Sequence, residues 1–444
     1  MSNLSKNVPS LLKTSRPSDV FGRRSLSDTL TFRAIDRFNS PIGKGNESKI
    51  NLLKVPLLKS PSHLGHYSSR VNRPYNEDAY SASVLALPGA RTVFNFSIFD
   101  GHGGDECSNF LKDNLASEVE QSSALIEPGS DKLREYLIKK YWKAFGGYWK
   151  WWYKRRKENI KMIMSGPGNL KLQNIKDQND DLRRRIPFAF LEADYKFLEN
   201  TEAKSGSTCT SAFIETVYST RDSPPGENYY FNRDTISKLT IAHVGDTKAI
   251  LVDREGEAHA LTEAHHPSNP IEAKRLRKYS AKFFMADSFG EERFISVANT
   301  RAFGDQNYKG VGVTAEPDIV QLLIGDRNTM HKTLTKDEIH NSTIGSLGGD
   351  ESFLILCTDG VTDVLTDQEI ADIVMSTYNM KGNPVASAQR CAEEVIKFVE
   401  YIGGSDNATC LVVRLIGWGK WPIIDRTGAL RQERMDDYNP RSRR

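Results

Sequence analysis

The sequence has 444 residues, enough for one large domain with extensions or for two domains of ordinary size. Hydrophobic residues make up 38% and charged residues 26%, and the formal net charge of +3 is too small to predict nucleic-acid binding. No apolar stretch approaches the roughly 18 residues that span a bilayer, so we expect no transmembrane segment. The five cysteines lack C-x-x-C spacing, which argues for a reducing compartment and against disulfides or structural zinc.

Residues 1–64 form a polar segment rich in Ser, Asn, Lys and Arg. Its basic residues and hydroxyls are typical of a mitochondrial transit peptide, although Asp19, Asp28 and Asp36 are unusual in one. We therefore expect a targeting or disordered segment and a mitochondrial protein, in the matrix or the intermembrane space. The alternative is a disordered tail on a cytoplasmic protein.

From residue 65 to 416 the pattern is one of strands broken by Gly, Pro and Asn turns, with helices between them. The predicted strands are Val93–Phe99, Thr210–Glu215, Lys238–His243, Ala249–Val252, Phe353–Cys357 and Ala408–Leu415. The predicted helices are Asn109–Gln121, Phe190–Asn200, Ala371–Tyr378 and Ala386–Gly403. Many strands with paired helices favour an α+β sandwich over a parallel βαβ sheet.

An aromatic and basic block lies within a predicted helical insertion at about residues 125–186. Its aromatic residues are Tyr141, Trp142, Phe145, Tyr148, Trp149, Trp151, Trp152 and Tyr153, and a basic run, Lys154–Lys157, follows. The favoured interpretation is an insertion whose aromatic side chains pack on the domain. The alternatives are docking of a partner and contact with a membrane surface.

Acidic residues recur at the ends of apolar runs. Asp100 follows the strand Val93–Phe99 and begins a glycine-rich turn, and further carboxylates stand at Glu77, Asp78, Asp246, Asp359 and Asp406. Mg²⁺ and Mn²⁺ prefer such carboxylate, carbonyl and water oxygens. Two such ions about 3.5–4 Å apart lower the pKa of a water between them and stabilise an in-line phosphoryl transition state. Arg73 has the planar fork that suits phosphate. These residues together predict a metal site that acts on phosphate.

The acidic motifs stand in a fixed order with several others. They are Arg73–Asp78, Phe99–Gly104, Ser205–Thr208, Val244–Ala249, Leu261–Pro270, Thr300–Asp305, Glu316–Asp318, Thr358–Asp363 and Ser405–Asn407. This series resembles the protein phosphatase 2C family of metal-dependent serine/threonine phosphatases. The resemblance implies a β-sandwich of two mainly antiparallel sheets flanked by pairs of α-helices, over residues 65–416, with a C-terminal tail at 417–444.

The resemblance also implies two Mn²⁺ or Mg²⁺ ions and a weaker third ion. Asp100 would bridge the two main ions. The other ligands would be Glu77 and the Gly101 carbonyl on one ion, Asp359 and Asp406 on the other, and Asp246 with Asp359 and Asp363 on the third.

The remaining implied roles concern substrate and support. Arg73 would bind the substrate phosphate, and His102 would act as general acid to the leaving serine or threonine oxygen. Asp78 would organise the ligands from behind, and Asn407 would orient Asp406. The partners would be phosphorylated proteins, and we expect a monomer.

Some positions depart from the family pattern. Ala264 stands where an acidic residue is usual, and Lys278–Phe283 replaces a Gly-Gly turn in the flap beside the site. These departures motivate an alternative, a catalytically inactive scaffold that binds phosphoproteins, but all the ligand positions are filled. Arg301 and Asp305 are expected to form a structural ion pair.

A narrower resemblance concerns the tail. The run Gly417–Gly428, with Asn299–Arg301 and the modified flap, is similar to a fungal mitochondrial member of the family. That member is linked to pyruvate dehydrogenase dephosphorylation and to mitophagy, which implies a mitochondrial substrate.

Overall fold

Two antiparallel β-sheets packed face to face form the centre of the protein. The computed structural model describes residues 28–35, 50–88, 91–122, 130–154, 181–200, 204–220, 228–277, 284–286, 292–295, 297–344, 348–382 and 386–437. The strands are β1 Thr29–Ile35, β2 Ile50–Pro56, β3 Leu64–Ser69, β4 Ala79–Leu87, β5 Arg91–His102, β6 Gly206–Ser219, β7 Thr235–Val244, β8 Lys248–Val252, β9 Ala258–Ala260, β10 Phe284–Ala286, β11 Glu292–Phe294, β12 Phe303–Gly304, β13 Asp318–Gly325, β14 Phe353–Cys357 and β15 Ala408–Arg414. The helices are α1 Glu106–Gln121, α2 Ser130–Phe145, α3 Gly147–Lys154, α4 Asp181–Asn200, α5 Pro270–Arg277, α6 Gln306–Lys309, α7 Arg327–Thr333, α8 Lys336–Ser342, α9 Asp359–Thr362, α10 Asp367–Lys381, α11 Ala388–Tyr401 and α12 Gly428–Asp437.

The sheets differ in size and share one core. The larger has the order β13-β7-β6-β5-β4, with β12 paired to the start of β6, and the smaller has the order β3-β15-β14-β8-β9. Apolar side chains alternate toward the space between them, where Phe96 and Ile241 of one sheet lie in the same buried cluster as Leu354 and Leu411 of the other. The predicted α+β sandwich of two mainly antiparallel sheets is confirmed.

Helices cover the outer face of each sheet. Leu111 of α1 and Phe190 of α4 are buried with Phe213 of the larger sheet. On the smaller sheet, α10 and α11 bury their apolar faces, and Val395 of α11 shares a cluster with Ile355. The chain is therefore layered helix, sheet, sheet, helix, as the predicted flanking helix pairs require.

The predicted strands and helices are all present; Phe353–Cys357 has the predicted bounds and the others have one or both ends shifted. The helix expected over Phe190–Asn200 begins at Asp181. Strands β4 and β13, at the edges of the larger sheet, were not expected. Ala and Ser provide four of the first five residues of β4 and have little preference for strands, so pairing with β5 along its whole length determines its conformation.

The aromatic block packs on the domain, as the favoured interpretation predicts. Tyr141, Tyr148, Trp149 and Trp152 are buried in the cluster that also contains α1 and α4. Lys154 ends α3, and the rest of the basic run lies outside the described residues. Within the described part of the chain, no helix combines the length and the apolar character needed to cross a membrane.

Both ends of the chain contain structure beyond the expected domain. In the tail, Trp418 and Trp421 pack edge-on against Phe353, and Arg434 of α12 pairs with Glu369 at 2.8 Å. The core thus continues past residue 416. In the N-terminal segment, β1 and β2 pair over their full length. The expectation that this segment is disordered is therefore wrong for these two stretches. The rest of that segment up to residue 49 lies outside the described residues except Asp28, and the domain boundaries stay a prediction.

Candidate active site

Three carboxylates from distant parts of the chain converge at one edge of the sandwich. Asp100 lies near the end of β5, Asp246 in the turn after β7, and Asp359 at the start of α9, just after β14. Because β5 and β7 both pair antiparallel to β6, they run in the same direction and their carboxyl ends meet at one edge. One oxygen from each carboxylate lies within 4.8 Å of the others. These three residues are called the acidic cluster below.

The acidic cluster is short of positive charge. Burial, then the charge of Asp359, raises the pKa of Asp100 well above its ordinary value. Burial and Asp246 raise the pKa of Asp359 to about 7. The Oδ2 atom of Asp100 is buried and, among the described residues, finds no hydrogen-bond partner. An all-oxygen donor set that lacks a counter-charge fits Mg²⁺ or Mn²⁺.

Glu77 adjoins the glycine turn that follows Asp100. Its Oε1 accepts a hydrogen bond from the Gly104 N–H at 2.7 Å. A Cβ atom on Gly101 would lie 2.3 Å from the Glu77 carbonyl oxygen, so only glycine fits there. Ser108 Oγ donates to that same carbonyl at 2.6 Å. The close approach of the two chain segments brings the Glu77 carboxylate to the end of β5.

Asp406 is held between a cation and a backbone donor. Arg73 Nη2 lies 2.6 Å from Asp406 Oδ2, and the Arg73 side chain is 54% exposed. The Asn407 N–H donates to Asp406 Oδ1 at 2.7 Å. The Asn407 side chain accepts from the Glu77 N–H at 2.8 Å and donates to the Tyr75 carbonyl at 2.9 Å. Asn407 therefore fixes Asp406 through its backbone and fixes the segment containing Glu77 through its amide.

Asp78 lies behind the cluster and not in it. Its Oδ2 accepts hydrogen bonds from Thr409 Oγ1 at 2.6 Å and Thr358 Oγ1 at 3.1 Å. Burial raises the pKa of Asp78 to about 7 in spite of these bonds. Asp363 follows α9 and is close enough to Asp359 to contribute to the raised pKa of that residue.

The expected ion pair between Arg301 and Asp305 is wrong. Asp305 Oδ2 instead lies 2.9 Å from His102 Nε2. Strand β6 places its first residue, Gly206, opposite His102 on one side and Gly304 on the other. A Cβ atom on Gly206 would lie 2.4 Å from His102 Nε2, so the missing side chain is what lets His102 and Asp305 meet. Burial lowers the pKa of His102, but Asp305, together with the charges of Asp246 and Glu77, raises it above its ordinary value.

Arg301 belongs to a different group of charges, largely buried except for Asp318, called the paired network below. Its members are Glu272, Arg275, Arg301 and Asp318. Arg301 lies 2.6 Å from Glu272 Oε1 and 2.7 Å from Asp318 Oδ1, and Arg275 lies 2.8 Å from Glu272 Oε2. Although burial opposes ionisation, Arg275 and Arg301 hold the pKa of Glu272 well below its ordinary value. The paired network is thus complete without an added ion.

Two partners of Asp246 were not identified from the sequence. Asn299 Nδ2 donates to Asp246 Oδ2 at 2.7 Å, and His266 Nε2 lies 3.3 Å from the same atom. Burial alone would raise the pKa of Asp246, but these hydrogen bonds lower it. Behind the turn, His265 Nδ1 accepts from the Gly245 N–H at 3.0 Å. The motif Leu261–Pro270 contained the signal, since two of its histidines reach this turn.

Comparison with known proteins agrees with this geometry. A family model described as Protein phosphatase 2C matches residues 159–408. The chain is 34% identical to Protein phosphatase 2C homolog 4 of Schizosaccharomyces pombe, over 88% of this chain and 89% of that protein. The chain belongs to the protein phosphatase 2C family. It is accordingly a metal-dependent protein serine/threonine phosphatase, of a family that uses Mg²⁺ or Mn²⁺.

Two further similarities are more distant. The phosphatase is 25% identical to Protein phosphatase 1K, mitochondrial, of Xenopus laevis, over 81% of this chain and 69% of that one. A solved structure, a phosphatase from a pathogenic strain of Toxoplasma gondii, shares the fold with a TM-score of 0.50 and 17% identity, over 79% of this chain and 92% of that one.

Proposed function

We propose that the acidic cluster and its neighbours hold two Mn²⁺ or Mg²⁺ ions and a weaker third ion for phosphoprotein hydrolysis. The single observation that carries this proposal is the convergence of Asp100, Asp246 and Asp359, with a buried carboxylate oxygen of Asp100 left without a partner. The proposed ligands are Glu77, Asp100, the Gly101 carbonyl, Asp246, Asp359, Asp363 and Asp406. When bound, the ions would activate a water for attack on phosphorus and neutralise charge on the phosphoryl oxygens.

The protein side chains would bind the phosphate and deliver a proton. Arg73 is exposed beside Asp406 and can offer its remaining N–H groups to the phosphate. His102 would protonate the leaving serine or threonine oxygen, which is a poor leaving group as an alkoxide. Since Asp305 engages Nε2, the transferable proton would sit on Nδ1. Asp78 and Asn407 would support the ligands.

We further propose a mitochondrial location and mitochondrial substrates, with pyruvate dehydrogenase and proteins of mitophagy as candidates. The basic, hydroxyl-rich composition of residues 1–64 supports this proposal, as does similarity to a relative named as mitochondrial. Fractionation of cells with protease protection, on the full chain and on a chain without residues 1–27, which precede β1, would test it. A cytoplasmic full chain would contradict the location, and loss of import on truncation would support it.

Phosphate release by the full-length protein tests the chemistry. A phosphothreonine peptide is incubated with Mn²⁺, Mg²⁺ or EDTA, beside the variants Asp359→Asn and Asp367→Asn. Asp367 is a matched control because it pairs with Lys248 at 2.6 Å outside the acidic cluster. We expect metal-dependent release that Asp359→Asn removes and Asp367→Asn retains. Folded, metal-binding protein without activity would instead indicate a phosphoprotein-binding scaffold.

A further inference from the structure

The first seven residues of the loop between β3 and β4, Arg70–Asn76, lie beside Asp406 and are called the rim loop below. All its residues except Val71 are exposed, yet hydrogen bonds fix its backbone and side chains. These bonds run from Arg70 Nη1 to the Arg73 carbonyl, from Asn72 Nδ2 to the Gly404 carbonyl and from Asn76 Nδ2 to Ser68 Oγ, each at 2.8 Å, and from Asn407 Nδ2 to the Tyr75 carbonyl at 2.9 Å. The rim loop is therefore a fixed surface at the edge of the site.

The backbone of the rim loop is also strained, at Val71. Val71 has a φ of 49°, and a β-branched residue rarely adopts this left-handed conformation. Its N–H donates to Ser69 Oγ at 3.1 Å, which helps to hold it there. Strain of this kind persists where the surroundings enforce it, and it is concentrated at functional sites.

One exposed side chain of the rim loop has no role in the chemistry. Arg73 is the proposed phosphate ligand, but Tyr75, two residues later, is 78% exposed, more than any other described large aromatic side chain. The Tyr75 carbonyl accepts a hydrogen bond from Asn407, whose N–H donates to Asp406, so the backbone of Tyr75 lies close to Asp406. An exposed ring on a fixed backbone loses little entropy when a ligand covers it.

We propose that Tyr75 is a specificity-determining residue that packs against an apolar side chain next to the phosphorylated serine or threonine of the substrate. The inference rests on the proposed function, since it assumes that Arg73 holds the phosphate. A peptide whose phosphate is at Arg73 has its neighbouring residues within reach of the rim loop. The tyrosine ring supplies apolar area there, and its position two residues from Arg73 sets which part of the peptide it meets.

Two phosphothreonine peptides test the inference, one with leucine and one with glycine on both sides of the phosphothreonine. We expect the wild-type protein to prefer the leucine peptide. Tyr75→Ala should lower kcat/KM for the leucine peptide about tenfold, mainly through KM, and for the glycine peptide by no more than about twofold. Tyr75→Phe retains the ring and should retain the preference. Ile423→Ala, an exposed apolar residue of the tail, is the matched control and should not change it.

The outcomes distinguish a failure of the proposed role of Tyr75 from a failure of the proposed phosphatase function. Equal losses on both peptides, or no loss on either, would overturn the role of Tyr75 while leaving the phosphatase intact. p-Nitrophenyl phosphate, which has no flanking residues, reports whether the wild-type protein is active. Failure to hydrolyse this compound and both peptides with Mn²⁺ would overturn the proposed function and the inference with it.

Discussion

The acidic cluster and the paired network contain the same kinds of residue in opposite states. Both contain buried carboxylates, but in the paired network the buried Glu272 and the half-exposed Asp318 face arginines and have lowered pKa values. In the acidic cluster, Asp100 and Asp359 face other carboxylates and have raised pKa values, whereas Asp246, with His266 and Asn299 beside it, has a lowered one. The comparison teaches that counter-charge, and not carboxylate density, separates a site that awaits a cation from one that stabilises the fold. Two predictions test this comparison directly, and two more test residues that adjoin these groups. They are given from the largest expected effect to the smallest.

Breaking the paired network should cost stability. Glu272→Gln leaves Arg275 and Arg301 buried with one counter-charge removed, so we expect the free energy of unfolding to fall by about 3 kcal/mol or more. Chemical denaturation measures this, with Glu257→Gln, at an exposed position, as the control expected within about 0.5 kcal/mol of wild type. A loss no larger than that of the control would contradict a completed network.

Breaking the acidic cluster should have the reverse effect on the metal-free protein. Asp359→Asn removes like-charge repulsion, so we expect the free energy of unfolding in EDTA to rise by about 1 kcal/mol. At the same time kcat/KM with Mn²⁺ should fall at least about 100-fold, and Mn²⁺ should no longer raise Tm as it does in the wild type. Destabilisation of the metal-free variant would argue against repulsion in the cluster.

Acid should lower the stability of the fold through His243, a buried histidine near Asp246. His243 is buried against His265 with ring centroids 4.7 Å apart, and burial lowers the pKa of His243 to about 3. The unfolded chain takes up a proton below about pH 6.5 while folded His243 stays neutral, so stability falls as the pH drops from about 6.5 toward 3. We expect about 2 kcal/mol of loss from pH 7 to 5 that is absent in His243→Gln. Parallel pH profiles of the two proteins would contradict this.

Weakening the contact between His102 and Asp305 should give the smallest of the four effects, a moderate loss of kcat. Asp305→Asn weakens the hold on the imidazole, and we expect about a tenfold lower kcat on a phosphothreonine peptide. The loss should be smaller on p-nitrophenyl phosphate, whose leaving group needs no proton. Asp367→Asn again serves as the control. Equal losses on both substrates would point to a purely structural role for Asp305.

The positions of the three clustered carboxylates could be predicted because Asp100, Asp246 and Asp359 each lie at or just after the end of an apolar strand, and strand ends meet at sheet edges. The partners of those residues could not. Asp305 adopts a left-handed conformation at φ 50° and reaches His102 only because β12 pairs with the two first residues of β6. The sequence of Thr300–Asp305 does not show that the Arg301 side chain pairs with Glu272 and Asp318 and not with Asp305. Such choices depend on register and burial, which act over separations from 17 residues for Arg301 and Asp318 to 203 residues for His102 and Asp305.

The smaller sheet also sets when the enzyme becomes functional during its synthesis. Strand β15 lies between β3 and β14, and the loop that precedes it provides Asp406 and Asn407. A nascent chain shorter than about residue 415 therefore lacks an interior strand of the sheet as well as the residues that fix Arg73 and Glu77. Because a chain emerges from the ribosome with its amino end first, phosphatase activity must follow the emergence of β15. A phosphoprotein that meets the nascent chain before β15 has emerged encounters an incomplete site.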